Sequence, residues 1–187
     1  GGISFLGGIE EVINQYIDDN LDEFKNGVRV WDEVTAPGGK ELKLLQIRCT
    51  DIHKKTISTV RSDVFFNIEL TFKCFFEIEG SRMIIQLLNR EGTVVFTSTN
   101  HNESGKIDRG ILVIKCEIPA NLLNEQEYLI LVHSGIPGQR VLIQGEPFLS
   151  INVKNMGTHG SDFPEKWPGL VAPKLNWIYE KVGESHN

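Results

Sequence analysis

The side chains able to do chemistry in this chain are few and scattered. Its five histidines, His53, His101, His133, His159 and His186, match no zinc-ligand spacing with one another or with a cysteine. Its three cysteines, Cys49, Cys74 and Cys116, fall on the apolar phase of strand-like segments. There a thiol acts as a small buried hydrophobe and is badly placed for nucleophilic attack. A bridge between Cys74 and Cys116 lacks the intervening tryptophan that accompanies an inter-sheet disulfide, and an odd count argues for reduced thiols. Pro37-Gly38-Gly39-Lys40-Glu41 carries a Gly-Lys pair, but a phosphate loop needs an earlier glycine and a following Ser or Thr. No G-x-S-x-G elbow occurs. Glu77 and Glu79 precede Gly80 and read as a solvated turn before they read as an acid/base pair. The residues therefore point to a binding domain, with no enzyme activity, cofactor or metal expected.

What these side chains need is a scaffold, and the sequence describes one. Phe65 to Phe76 reads FFNIELTFKCFF. Phe66, Ile68, Leu70, Phe72, Cys74 and Phe76 alternate with Asn67, Glu69, Thr71 and Lys73. That period of two gives a long strand with one apolar and one polar face. Burial of the apolar face is worth about 10 kcal/mol and demands a second layer. Glu41–Thr50 is expected as a strand with Leu45, Ile47 and Cys49 inside, and His53–Asp63 as a polar edge loop. Further strands are expected at Arg82–Asn89, Thr93–Thr99, Ile111–Ile118, Glu127–Ser134 and Phe148–Val153. Tyr128, Ile130 and Val132 face inward in the fourth of these, and Leu149, Ile151 and Val153 in the last. Short strands at regular spacing between turn signals predict an all-β, two-sheet antiparallel sandwich of immunoglobulin-like or jelly-roll type.

One pair of strands looks apolar on both sides. If Arg82–Asn89 and Glu127–Ser134 share a sheet, their outward positions are Ile84, Gln86 and Leu88, and Leu129, Leu131 and His133. Such a face is normally covered. The amino-terminal helix, the carboxy-terminal tail, a second subunit or a ligand could each cover it.

Before the strands, Ile9, Val12, Ile13, Tyr16, Ile17 and Leu21 recur at three- and four-residue steps. They predict an amphipathic helix over Gly8–Lys25, ended by Asn26-Gly27. The chain opens Gly1-Gly2-Ile3 without an initiator methionine, which fits a piece of something longer. Residues 1–27 thus read as a linker helix and 28–187 as the sandwich domain. At 187 residues one sizeable core is available. A net charge of −6 with dispersed Lys and Arg argues against nucleic acid as partner. No apolar run approaches a membrane span and no export signal is visible, which with reduced thiols suggests the cytosol.

Several segments together resemble a known family. GGIEEVINQY (Gly7–Tyr16), Trp31 with Ala36-Pro37-Gly38, GTVVF (Gly92–Phe96), CEIPANLL (Cys116–Leu123) followed by Tyr128, and the G-x-x-x-P-x-x-x-W of Gly169–Trp177 run nearly end to end. Their order resembles the carboxy-terminal domain of the ATP-binding subunit of bacterial polysaccharide ABC exporters, the Wzt type. The resemblance implies a non-catalytic sandwich that recognises lipid-linked polysaccharide, often O-antigen, in the cytoplasm at the inner face of the bacterial inner membrane. It implies contact with a transmembrane exporter subunit through a nucleotide-binding domain that this chain lacks. It also implies a homodimer that exchanges the strand around Gly169–Trp177.

Sugar-contacting residues vary with the glycan in that family, so the site is read from physics. A sugar needs spaced hydrogen-bonding groups and apolar area for its C–H faces. Gln86 and His133 among Ile84, Leu88, Leu129 and Leu131 offer both. Thr97, Thr99 and His101 on the neighbouring strand, and Arg140 in the loop after Glu127–Ser134, would add donors, Arg140 chiefly toward phosphate or carboxylate. The alternatives are a protein-interaction sandwich and a sugar-active jelly-roll enzyme.

Overall fold

The computed structural model describes residues 26–100, 105–156 and 168–179. The expected helix over Gly8–Lys25, and with it all of the linker unit but Asn26 and Gly27, lies outside the described residues, as do His101, His159 and His186. The described chain forms nine strands: β1 (Val28–Val30), β2 (Leu42–Thr50), β3 (Thr59–Arg61), β4 (Phe66–Cys74), β5 (Arg82–Asn89), β6 (Val94–Thr99), β7 (Gly110–Ile118), β8 (Glu127–Ile136) and β9 (Arg140–Lys154). They make a four-stranded sheet, β1-β2-β4-β7, and a five-stranded sheet, β3-β9-β8-β5-β6. This is the expected all-β sandwich. One detail differs from the antiparallel expectation, because β3 runs parallel to β9. Among the described residues no helix is long and apolar enough to cross a membrane.

The alternation of β4 builds the core as the sequence requires. Phe66, Ile68, Leu70, Phe72 and Cys74 are buried and meet Leu87, Ile130, Val132, Phe148 and Leu149 in a single cluster. Phe76 does not join them. Strand β4 stops at Cys74, and Phe76 lies beyond it, 60% exposed. In β2 a bulge between Leu44 and Gln46 shifts the pleat by one residue. Leu42 and Leu44 are therefore inward before the bulge and Ile47 and Cys49 after it, whereas Leu45 was expected inside. On β7 only Ile118 of the inward set is fully buried, since β7 is the edge of its sheet. All three cysteines are free thiols.

Two segments read as loop or as a shorter strand turn out to be ladder. The His53–Asp63 stretch contains β3, whose Val60 is buried opposite Val153. Strand β9 extends back to Arg140 and forms a hairpin with β8 around Pro137–Gln139. Register shifts at three places let this long strand carry Gly145 and Pro147, which break the alternation in sequence.

The polar face of β4 is not simply solvated. Glu69 is only 3% exposed. Arg48 of β2 donates to its Oε2 from Nε at 2.8 Å and from Nη2 at 2.5 Å. Lys115 of β7 reaches Oε1 at 2.7 Å, and the Thr50 hydroxyl lies 3.3 Å from the same oxygen. Arg48, Glu69 and Lys115 stand in one cross-strand row, so the register places them together. Burial alone would raise the Glu69 pKa; the hydrogen bonds from Lys115 and Arg48, and their charges, outweigh it and hold the carboxyl below its usual range.

A candidate carbohydrate face on the five-stranded sheet

The outer face of the five-stranded sheet is set by the pairing of β5 with β6 and β8. Ile84 lies opposite Thr99 on one side and His133 on the other. Gln86 lies opposite Thr97 and Leu131. Leu88 lies opposite Val94 and Leu129. Three transverse rows result, Thr99–Ile84–His133, Thr97–Gln86–Leu131 and Val94–Leu88–Leu129, with neighbours about 5 Å apart. Ordinary alternation produces them, since their intervening neighbours Met83, Ile85, Leu87, Ile130 and Val132 point into the core.

The rows differ in access. Leu88 and Leu129 are buried in a small cluster of their own, packed with Leu131. Thr97 and Thr99 are exposed, and Ile84, Gln86, Leu131 and His133 are half-buried. Gln86 Nε2 donates to the Thr97 hydroxyl at 3.1 Å. That bond fixes the carboxamide and leaves its oxygen available as an acceptor. Five of the six sequence-expected side chains can be located. Four of them, Gln86, Thr97, Thr99 and His133, share this face, and His101 lies outside the described residues.

Arg140, the fifth, is placed differently from the expectation. It opens β9 and is held by Glu41, with Nε 2.9 Å from one carboxylate oxygen and Nη2 2.9 Å from the other. A guanidinium held in this fork has spent its bidentate geometry within the chain. Arg82, on the same outward phase as Ile84, has no hydrogen bond or ion pair among the described residues and can meet a ligand. Arg82, Ile84, His133, Arg140 and Val141 line a cleft of about 500 Å³ at the hairpin end of the face. That lies within the range of ~300–1,000 Å³ usual for small-ligand sites.

Gly145 was also missed. A Cβ on it would lie 3.2 Å from Leu131 Cδ2 and 3.4 Å from His133 Cβ. Glycine lets β9 pass close beside both side chains. A glycine inside a strand pattern was the available signal, but the strand itself had not been extended that far. Among the described residues, no group of three or more His, Cys, Asp or Glu side chains converges as metal ligands would.

Within a single chain, the segment around Gly169–Trp177 makes one antiparallel bridge, Val171 with Leu123, in the connection between β7 and β8. Ala172 N–H donates to the Leu122 carbonyl at 2.9 Å. The Tyr128 hydroxyl lies 2.7 Å from the Leu170 carbonyl and 3.0 Å from that of Asn124, and accepts from Gln126 Nε2. Asn124 Nδ2 donates to the Gly169 carbonyl at 2.7 Å. Beyond this latch Leu175, Trp177, Ile178 and Tyr179 are 65–90% exposed.

Against solved structures, this arrangement matches the C-terminal domain of Wzt over 84% of this chain and 92% of that one, with a TM-score of 0.60 and 12% identity. The chain has the fold of the Wzt C-terminal domain. Looser likenesses include a CARDB domain of Pyrococcus furiosus (TM-score 0.40, 12% identity, 67% of this chain and 100% of that one). A β-glucuronidase of Parabacteroides merdae follows (TM-score 0.34, 14% identity, 68% of this chain and 14% of that one). At those scores neither supports an argument. No family model matches the chain, and no curated relative does by sequence. The Wzt-type fold thus rests on the course of the strands, at an identity where fold alone is carried.

Proposed function

We propose that this chain is a non-catalytic carbohydrate-binding domain that selects a polysaccharide for an ABC exporter. The observation that carries the reading is the Wzt-type sandwich with a mixed polar and apolar outer face on its five-stranded sheet. Gln86, Thr97, Thr99 and His133 supply hydrogen-bonding groups at about the spacing of sugar hydroxyls, and Ile84 and Leu131 supply C–H contact area. Arg82 adds a guanidinium for a glycan bearing phosphate or carboxylate. The polysaccharide is read in the cytoplasm, at the inner face of the membrane, before export. The exporter's transmembrane subunit is the expected larger partner.

The exposed run from Leu175 to Tyr179 favours a homodimer in which this segment finds its apolar partner on a second copy. Light scattering on the full chain and on a form ending at Pro173 tests this. Loss of the dimer on truncation is expected; an unchanged mass for both forms would refute it.

Titration of the producing bacterium's own polysaccharide, followed by amide NMR, tests the function. Shifts at Ile84, Gln86, Leu131 and His133, weakened in Gln86→Ala and Arg82→Ala, are expected. A properly folded protein unmoved by every saccharide would sink the reading. Product release from a glycan would favour the sugar-active enzyme instead.

A further inference from the structure

A second cleft opens at the opposite edge of the sandwich from β6 and β7, where β1 faces β9. It measures about 680 Å³ and is lined by Asn26, Arg29, Trp31, Thr35 and Glu146 among others. Nothing in the sequence patterns above pointed to it. Arg29 pairs opposite Ile47, whose side chain is fully buried, so Arg29 projects toward the interior side of β1. Its guanidinium carbon sits 4.9 Å from the Trp31 ring centre. The indole in turn meets Phe148 edge-on, with ring centres 5.4 Å apart at 82°. The half-buried indole is thereby fixed between the core and a cation.

An inward charge on a short edge strand has a structural use, since it discourages the addition of another strand. That accounts for Arg29. It does not account for Glu146, which comes from the other sheet, between Gly145 and Pro147. Glu146 is half-buried and has no hydrogen bond or ion pair among the described residues. Burial pushes its carboxyl above the usual carboxylate range, with the Arg29 charge opposing. Among the described residues nothing donates to its carboxylate, so the hydroxyls of a ligand in the cleft can do so. A fixed indole, a nearby guanidinium and a half-buried carboxylate together suit a ring with C–H faces and paired hydroxyls.

The geometry points to a second saccharide subsite in this edge cleft, in which Glu146 accepts hydroxyl hydrogens and Trp31 packs against the sugar ring. The inference rests on the carbohydrate reading above but concerns a different place on the molecule. A glycan chain engaging both clefts would be held at two points, which gives selectivity for length as well as for residue type.

Amide and indole NMR of the full chain tests this with mannose, galactose, N-acetylglucosamine and short oligomers of each as probes. The expected result is two separately saturating sets of shifts. One includes Arg29, Glu146 and the Trp31 indole N–H; the other includes Ile84, Gln86 and His133. Glu146→Gln should weaken the first set about tenfold, the effect of one charge-assisted hydrogen bond, and leave the second unchanged. The wild-type Trp31 indole signal reports on the cleft even if that variant folds poorly. Shifts confined to the outer face would overturn the subsite and leave the function standing. Unaltered edge affinity in a folded Glu146→Gln variant would also overturn it. Silence of both sets would remove the subsite and the carbohydrate reading together.

Discussion

Replacing Glu69 by glutamine should destabilise the domain far more than a change on a polar strand face ordinarily does. The carboxylate is 3% exposed and takes charged hydrogen bonds from Arg48 and Lys115. Glutamine keeps the volume but removes the charge and sets an amide N–H against at least one cation. A buried acceptor facing two charged donors would lose several kcal/mol, but Arg48 and Lys115 are 33% and 46% exposed and recover hydration. Discounting for that solvent access leaves about 2–3 kcal/mol at neutral pH. For a domain of this size it corresponds to a Tm lower by roughly 5–10 °C. The pH dependence is the sharper assay. A carboxyl whose folded pKa is depressed contributes stability that is present above its unfolded pKa of about 4.3. That contribution is lost as the pH falls through the lower folded value. Denaturant melts of wild type and Glu69→Gln should therefore differ at neutral pH and converge in acid. A difference that stays constant from neutral to strongly acidic pH would refute the account, as would equal stability at neutral pH.

Other consequences follow from the same geometry. Tyr128→Phe removes the hydroxyl that bridges the Leu170 and Asn124 carbonyls; about 1–2 kcal/mol should be lost, and the Ala172 amide should exchange hydrogen faster. Gly27→Ala places a Cβ 2.1 Å from the Ile57 carbonyl oxygen at a φ of +72°, so chemical denaturation should show a loss above about 3 kcal/mol. Thiol reagents on the folded protein should modify Cys116, half-buried at the sandwich edge, before Cys49, whose thiol burial pushes far up; mass spectrometry of peptides would show the order.

Much of the architecture was legible because β4, β5 and β8 alternate cleanly, and a period of two leaves little choice of face. The outer rows of the five-stranded sheet were legible for the same reason. What alternation could not carry was the bulge. The shift at Leu44/Gln46 exchanged the roles of Leu44 and Leu45, and the irregular pairing at Gly145–Pro147 hid half of β9. Partners that are distant in sequence were also invisible. Neither Glu41 beside Arg140 nor Glu146 near Arg29 and Trp31 has a local signature, because each contact is made only when two strands far apart in the chain become neighbours.

The position of β7 has a practical consequence. It ends the four-stranded sheet among the described residues, nine residues long, with Ile111 and Val113 facing water. Its outer row of amide and carbonyl groups offers a template to any extended chain that drifts by. In concentrated preparations this border, more than the strength of the interior, will govern whether the molecules stay dispersed. A lysine in place of Val113 is the smallest change that would make the border less inviting.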